Sequence, residues 1–214
     1  MFELPRITTI VQQFSVWGIV VPLGIGLLHY KTADFNLRLF IGFLVVGFIT
    51  DVSMFVIHRT AYSNHLTTII TIYSLVEAGM FFWLIWKNAK HKILVRLSAV
   101  LFWITPVLWL TLLIVRFGFL KESPGQLFDP FYSISVSFLA GFTILEIVER
   151  EEPVSHAIFW ILLGMFFYCF CTFFIMGLLN TLLSQRIWVL NNVFNIITYC
   201  FYSMGLWQLR IRKA

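Results

Sequence analysis

Long apolar runs alternate with short polar segments along the whole chain. About 20 apolar residues in a helix cross the hydrocarbon core of a bilayer. Charged residues and histidines divide this chain into seven runs of about that length. The predicted spans cover residues 8–28, 39–57, 66–86, 97–115, 131–148, 157–180 and 187–209. The pattern therefore predicts an all-α bundle of seven transmembrane helices that forms a single domain over residues 1–214.

Composition narrows the possible functions further. The chain is 60% hydrophobic and only 12% charged, whereas soluble domains carry about 25% charged residues. The loops between the spans are short, so no segment remains for a separate catalytic, nucleotide-binding or DNA-binding domain. The net charge of +5 lies in these loops, where it sets topology. The expected partner is therefore the lipid bilayer, and no nucleic acid is expected.

The distribution of cations predicts the orientation of the bundle. Ten Lys and Arg residues fall on the side of loops 1–2, 3–4 and 5–6 and the carboxyl terminus, against five on the other side. Loops rich in Lys and Arg stay in the cytosol, so we expect the amino terminus outside and the carboxyl terminus inside. Minimal loops and the lack of any Asn-x-Ser/Thr sequence favour the inner membrane of a bacterium.

Ionisable side chains inside the spans are the strongest indication of a site. Asp51 and Glu77 lie within spans two and three, and each costs about 2.5–3.5 kcal/mol to insert, so such residues normally face the interior. At 1.5 Å per residue, Asp51 lies about 10 Å below the outer surface and Glu77 about 16 Å. Polar residues of spans three and seven lie at matching depths. The predicted ligand-binding set is Asp51, Tyr73, Glu77, Asn191, Asn195 and Tyr199.

The sequence gives weaker indications of a metal site, a cofactor site or a catalytic nucleophile. His58 and His65 flank the outer loop 2–3 and with Asp51 would make a metal site, but histidines at membrane borders are common, so we predict no metal there. Span seven has no His and no Lys, unlike the seven-span zinc hydrolases and the microbial rhodopsins. The intramembrane acids have no His partner in their spans. We therefore predict no cofactor and no catalytic residues, and favour a protein that is not an enzyme.

The preferred interpretation is a sensor or receptor-like subunit that binds a small molecule in an outward-facing polar pocket. It would signal through a partner protein, with the basic segments 87–96 and 210–213 as a docking surface, although contact of these segments with anionic lipid is the more ordinary explanation. The plan is similar to that of seven-helix receptors at the level of topology alone.

Two other functions remain open. Asn and Ile-Ile-Thr recur at equal spacing in residues 64–71 and 191–198, which is compatible with a small secondary transporter built as a 3+1+3 helix repeat. In that case Glu77 or Asp51 would serve for proton coupling. An intramembrane lipid-modifying enzyme with Asp51 and Glu77 as acid and base is the third possibility. Pro22 and Pro106 are predicted to bend or weaken spans one and four.

Overall fold

The computed structural model describes residues 4–57, 66–115, 125–150, 156–178 and 184–211. Within these ranges the chain is helical and has no β-strand, which confirms the predicted all-α fold. One short 3-10 turn, Tyr30–Thr32, follows the second helix. The α-helices are α1 Leu4–Gly18, α2 Val20–Leu28, α3 Phe35–Ile57, α4 Leu66–Asn88, α5 Lys92–Leu112, α6 Gly125–Glu149, α7 His156–Leu178 and α8 Ser184–Ile211.

The first predicted span consists of two helices that are interrupted at Ile19. Proline has no amide proton, so Pro22 cannot donate to the carbonyl four residues earlier, that of Gly18. The backbone of Ile19 keeps right-handed helical angles, with φ −63° and ψ −22°, and the Leu23 amide still donates to the Ile19 carbonyl. The interruption is therefore a local loss of hydrogen bonding at the predicted proline, and the chain continues in a helical direction.

Pro106 and Pro130 lie inside continuous helices. Pro106 lies within α5, so the weakening that the sequence predicts there does not break the helix. Pro130 lies within α6, which begins at Gly125, whereas we predicted that Asp129-Pro130 would precede the span. Membrane helices tolerate proline because neighbouring helices and local adjustments satisfy the freed backbone groups. As a result, Asp129 belongs to the helical bundle and not to a loop.

Six helices in the described residues are long and apolar enough to cross a membrane, the first being the combined run Ile10–Leu28. They make the chain a multi-pass membrane protein. The last helix, α8, is 28 residues long but is not among the six, and three asparagines in its first half reduce its hydropathy. It packs against α7 on one side and α1 and α2 on the other, so it belongs to the same bundle.

The helices form a ring in which neighbours in sequence are neighbours in space. Consecutive helices pack against each other from α2 to α8, and α8 closes the ring against α1 and α2. One helix, α5, differs from the others in its position. It packs on α4 and α6 and is the least buried of the six apolar helices. Because α4 and α6 also contact each other directly, α5 lies outside the inner wall of the bundle.

The interior is divided into two halves of different chemistry. We call the half nearest the α3–α4 connection the polar half, and the half nearest the α4–α5 connection the apolar half. Most buried polar residues of the described chain lie in the polar half or at mid-height, and the exceptions Ser98 and Thr143 donate to carbonyls of their own helices. Apart from Phe128, the largest fully buried side chains are in the apolar half: Leu37, Phe40, Ile41, Leu44, Phe81, Phe82, Leu84, Ile85, Ile161, Leu162 and Met165.

A hydrogen bond fixes the peripheral helix α5 to the ring. The indole nitrogen of Trp109 donates to the Thr71 carbonyl of α4 at 2.9 Å. We expect Trp109→Phe to reduce the free energy of unfolding in detergent by about 1 kcal/mol, because it removes this donor. Trp103 is on the same helix but is 68% exposed, so Trp103→Phe is the matched control and should change stability by less than about 0.5 kcal/mol. Equal losses in the two variants would show that the bond does not anchor α5.

Candidate functional site

Glu77 lies at the middle of α4 and at the centre of the polar cluster. Its side chain is 5% exposed, and the Tyr132 hydroxyl of α6 donates to its Oε2 at 2.5 Å. The Tyr168 hydroxyl of α7 is also within hydrogen-bonding range of this carboxyl group. Three helices therefore meet at one carboxyl group, which satisfies the requirement that a buried acid have hydrogen-bond partners.

Asp51 of α3 is the second acid of the cluster. Its carboxyl group accepts a hydrogen bond from Tyr199 of α8 and lies within electrostatic range of Glu77. The Tyr199 ring lies against Gly18 of α1, where an added Cβ would be only 3.1 Å from the ring carbon Cδ2. The glycine thus allows the ring to approach α1, and the Tyr199 hydroxyl lies within hydrogen-bonding range of the Asp51 carboxyl group.

Tyr73 lies on α4 one helical turn before Glu77, between α3 and the centre of the bundle. Its hydroxyl approaches Gly47 so closely that an added Cβ there would be 3.1 Å from the oxygen. Its ring stacks on Phe43 with centroids 6.1 Å apart and an angle of 13° between the planes. Tyr73 and Glu77 interact electrostatically. The structure therefore brings together four of the predicted residues: Asp51, Tyr73, Glu77 and Tyr199.

Asp129 of α6 is a third acid that the sequence analysis placed outside the span. It lies within electrostatic range of Glu77 and within hydrogen-bonding range of Ser74 on α4. Its Oδ1 atom is buried and has no hydrogen-bond partner in the described part of the chain. Tyr132 follows three residues later, so Asp129 and Tyr132 share one face of α6. This face is turned toward α4.

The predicted asparagines lie near the same end of the bundle but have other neighbours. Asn195 approaches Ser15 of α1 with Nδ2 and Oγ 3.5 Å apart, and Asn191 is half-buried. Asn192, which was not in the predicted set, is 9% exposed, and its Nδ2 has no partner among the described residues. These amides add hydrogen-bonding capacity at the first half of α8.

Metal chemistry finds no support in the described residues. No group of three or more His, Cys, Asp or Glu side chains within them is close enough to hold a metal ion. His58 and His65 lie outside the described residues, so the structure does not address the metal site that they would form with Asp51. Cys169 is buried beside Glu77 and is free, as are Cys171 and Cys200.

Sequence reasoning missed Asp129, Tyr132 and Tyr168. A signal for the first two was present, because an acid and a tyrosine three residues apart share a helix face. Tyr168 lies in a run of aromatic residues from Phe166 to Phe170 and has no neighbouring polar residue that would distinguish it from core. With them, the cluster can accept hydrogen bonds through carboxyl oxygens and present aromatic rings to one ligand.

No family model matches this chain, and no curated protein or solved structure was found to match it.

Proposed function

We propose that this multi-pass membrane protein binds a small molecule in its polar half and works as a sensor or receptor-like subunit. The observation that supports the proposal most is the one-sided division of the interior. The three acids of the cluster, the tyrosines that contact them and most buried hydroxyls lie in the polar half or at mid-height, and the positive-inside bias of the loops favours an orientation with this half toward the outside of the cell. A ligand would therefore enter from outside and meet closely packed side chains at mid-height.

The packing of the apolar half favours a protein that binds its ligand over one that carries the ligand across the membrane. Its eleven large, fully buried side chains come from α3, α4 and α7, three helices that also carry groups of the cluster. Protein interiors pack as densely as organic crystals, so a polar solute has no route through this layer without a large rearrangement. A transporter would need such a rearrangement in every cycle, whereas a sensor needs only a small shift of the helices.

At the end of the apolar half, contacts between helices would transmit such a helix shift to the cytosolic surface. The Lys90 amide, just beyond α4, donates to Oε2 of Glu146 on α6 at 3.1 Å, and Glu146 also pairs with Arg150. The ammonium group of Lys87 lies over the rings of Trp83 and Trp86, at 4.6 and 4.4 Å from their centroids. Because α4 carries both Glu77 and Lys87, its movement would displace the basic segment 87–96, which we propose as the docking surface for a signalling partner.

A secondary transporter is the second candidate, and the position of α5 favours it. With α5 outside the ring, the inner wall consists of one set made of α1 with α2, α3 and α4, and another made of α6, α7 and α8. The sets meet where α4 contacts α6 and where α8 contacts α1. This is the arrangement expected of a 3+1+3 parallel repeat with α5 as linker.

Cysteine accessibility separates the two functions without knowledge of the ligand. In a background that lacks the three native cysteines, we would place a cysteine at Thr50 in the polar half or at Leu44 in the apolar half of α3. Sealed vesicles of known orientation would be treated with a small membrane-impermeant thiol reagent. We expect Thr50→Cys to react from the outside only, and Leu44→Cys, at a site 1% exposed, to remain unreactive from both sides.

Each alternative result has a definite meaning. Reaction of Leu44→Cys from the cytosolic side would show that the apolar half opens, and would favour the transporter. Protection of Thr50→Cys from both sides would contradict a pocket that opens outward. Labelling both variants after unfolding in SDS is the control that the introduced thiols are intact.

A further inference from the structure

The charge of the polar cluster is unbalanced among the described residues. Asp51, Glu77 and Asp129 come from three helices, and Glu77 lies within electrostatic range of both others. The described Lys and Arg side chains are all at the opposite end of the bundle: Lys31, Arg38, Lys87, Lys90, Lys92, Arg96 and Arg150. Opposite charges attract strongly in a low-dielectric interior, so an ammonium ion that reaches the cluster can pair with these carboxyl groups in their ionised form.

The tyrosines make the cluster suited to an organic cation. Their hydroxyls point to the acids, as with Tyr132 and Glu77 or Tyr199 and Asp51. Tyr73 of α4 and Tyr168 of α7 also interact electrostatically with Glu77. An ammonium group is stabilised both by carboxylates and by the faces of aromatic rings. Rings and carboxylates together are a combination typical of sites for organic ammonium ions.

Two buried polar atoms on α6 point to a ligand with N–H donors. Oδ1 of Asp129 and Oγ of Ser133 have no hydrogen-bond partner among the described residues, although Ser133 is 0% exposed. They are four residues apart and therefore share a helix face, the face that Asp129 turns toward Ser74 and Glu77 of α4. Buried polar groups normally have partners, and a primary ammonium group carries three donors.

The three described acids do not match the ligand set of a metal ion. An inorganic ion needs oxygen ligands at about 2.3–2.6 Å for Ca²⁺ and closer for Mg²⁺, but the three acids do not form a group that could hold a metal ion. An ammonium ion does not need several ligands at such short distances, because each of its N–H donors can pair with a separate acceptor.

We propose that the ligand of the polar half is a small primary amine in its ammonium form, bound between Asp51, Glu77 and Asp129. This inference depends on the proposed binding function and specifies its ligand class. The ammonium group donates hydrogen bonds to the carboxyl groups and to Ser133, and the tyrosine rings surround its carbon chain.

The test compares ligands of equal size and different charge on the full-length protein in nanodiscs. The probes are phenethylamine, 2-phenylethanol and 3-phenylpropanoate, and a shorter set of butylamine, butanol and butanoate, measured by calorimetry and by thermal shift. We expect at least one of the amines to bind at least tenfold more tightly than the alcohol and carboxylate of its set. We expect Asp51→Asn and Glu77→Gln to weaken amine binding at least tenfold. The control Asp34→Asn removes an exposed acid at the opposite end and should bind as wild type does.

The possible failures are distinguishable. If an alcohol or a carboxylate binds as well as or better than its amine, and Glu77→Gln affects it, the site binds a small molecule but the ligand class is wrong. If amines bind wild type and all three variants equally, they are only partitioning into lipid, and this inference is overturned. If no probe of either set binds, the ligand class is overturned, and the cysteine accessibility experiment decides separately on the proposed function. The wild-type comparison of charges does not depend on any variant being folded.

Discussion

Replacing Gly205 with alanine is expected to lower the free energy of unfolding by about 3 kcal/mol, near the upper end of what overpacking costs. Gly205 of α8 faces α7, and an added Cβ would lie 2.7 Å from the backbone carbonyl oxygen of Ala157 and 3.1 Å from Ile161. A side chain can rotate away from a new methyl group, but a backbone carbonyl can move only with its helix. The variant must therefore separate the most extensively packed pair of helices. Equilibrium unfolding in mixed detergent micelles measures the change.

Gly79 of α4 provides the matched control for this prediction. An added Cβ at Gly79 has no atom within 4 Å, so Gly79→Ala should be neutral or should stabilise the helix by about 0.5–1 kcal/mol. Comparable losses at the two positions would mean that the change acts through the unfolded state or through general helix properties. The close contact between α7 and α8 would then not control stability.

The helical architecture can be predicted because the rule behind it depends only on the apolar sequence of each segment. In lipid every backbone polar group must be satisfied internally, so an apolar run of sufficient length has to be helical. For this reason each of the seven predicted spans overlaps an observed helix, with α1 and α2 together forming the first, and six of these helices are long and apolar enough in the described residues to cross a membrane. Their ends differ by a few residues because helices continue past the apolar run into the polar flanks, as α3 does by beginning at Phe35 and not at residue 39.

The central pair of the site could also be predicted, because depth is a sequence property. Counting residues from the helix end places Asp51, Tyr73 and Glu77 at comparable levels in the bilayer. Burial of isolated carboxyl groups is costly, which favours arrangements in which they share partners. The structure places Asp51 and Glu77 within electrostatic range of each other, although their ligand remains a prediction.

Asp129 was missed because the sequence rule for proline is weaker in membranes than in water. In soluble proteins the residue before a proline commonly lies at a helix boundary, and on that basis Asp129-Pro130 was placed before span five. In the structure α6 begins five residues before Pro130. One proline shifts the predicted boundary by more than a turn, and this excluded an acid from the predicted site.

The sequence does not show which neighbouring helix each residue of a helix contacts. Asn195 and Tyr199 are four residues apart and share a face of α8, yet Asn195 meets Ser15 of α1 while Tyr199 meets Asp51 of α3. A helix within a ring touches several neighbours with one broad face. Which neighbour each residue meets depends on tilt and rotation, and these are set by packing between helices and not by spacing.

The hydrogen bond between Tyr132 and Glu77 contributes to the free energy of unfolding by an amount that can be measured. Tyr132→Phe is expected to lower the free energy of unfolding by about 1–3 kcal/mol, because it removes the donor at 2.5 Å from Oε2 of Glu77 and leaves a buried carboxyl oxygen without it. Glu77→Met alone leaves the Tyr132 hydroxyl without its acceptor and should also destabilise. When both partners are replaced by apolar groups of similar shape, the cost can vanish.

The double variant Glu77→Met/Tyr132→Phe is therefore expected to be more stable than Tyr132→Phe alone and close to wild type. Residues in direct contact show interaction energies of about 0.5–3 kcal/mol in such cycles, and we expect about 2 kcal/mol here.

Tyr30 is 45% exposed, so Tyr30→Phe removes a hydroxyl outside the cluster and should change stability by less than about 0.5 kcal/mol. Additive losses in the double variant would show that Glu77 and Tyr132 are stabilised by separate partners. A double variant as stable as wild type that no longer binds a ligand of the wild type would show that this pair is needed for binding and not for stability.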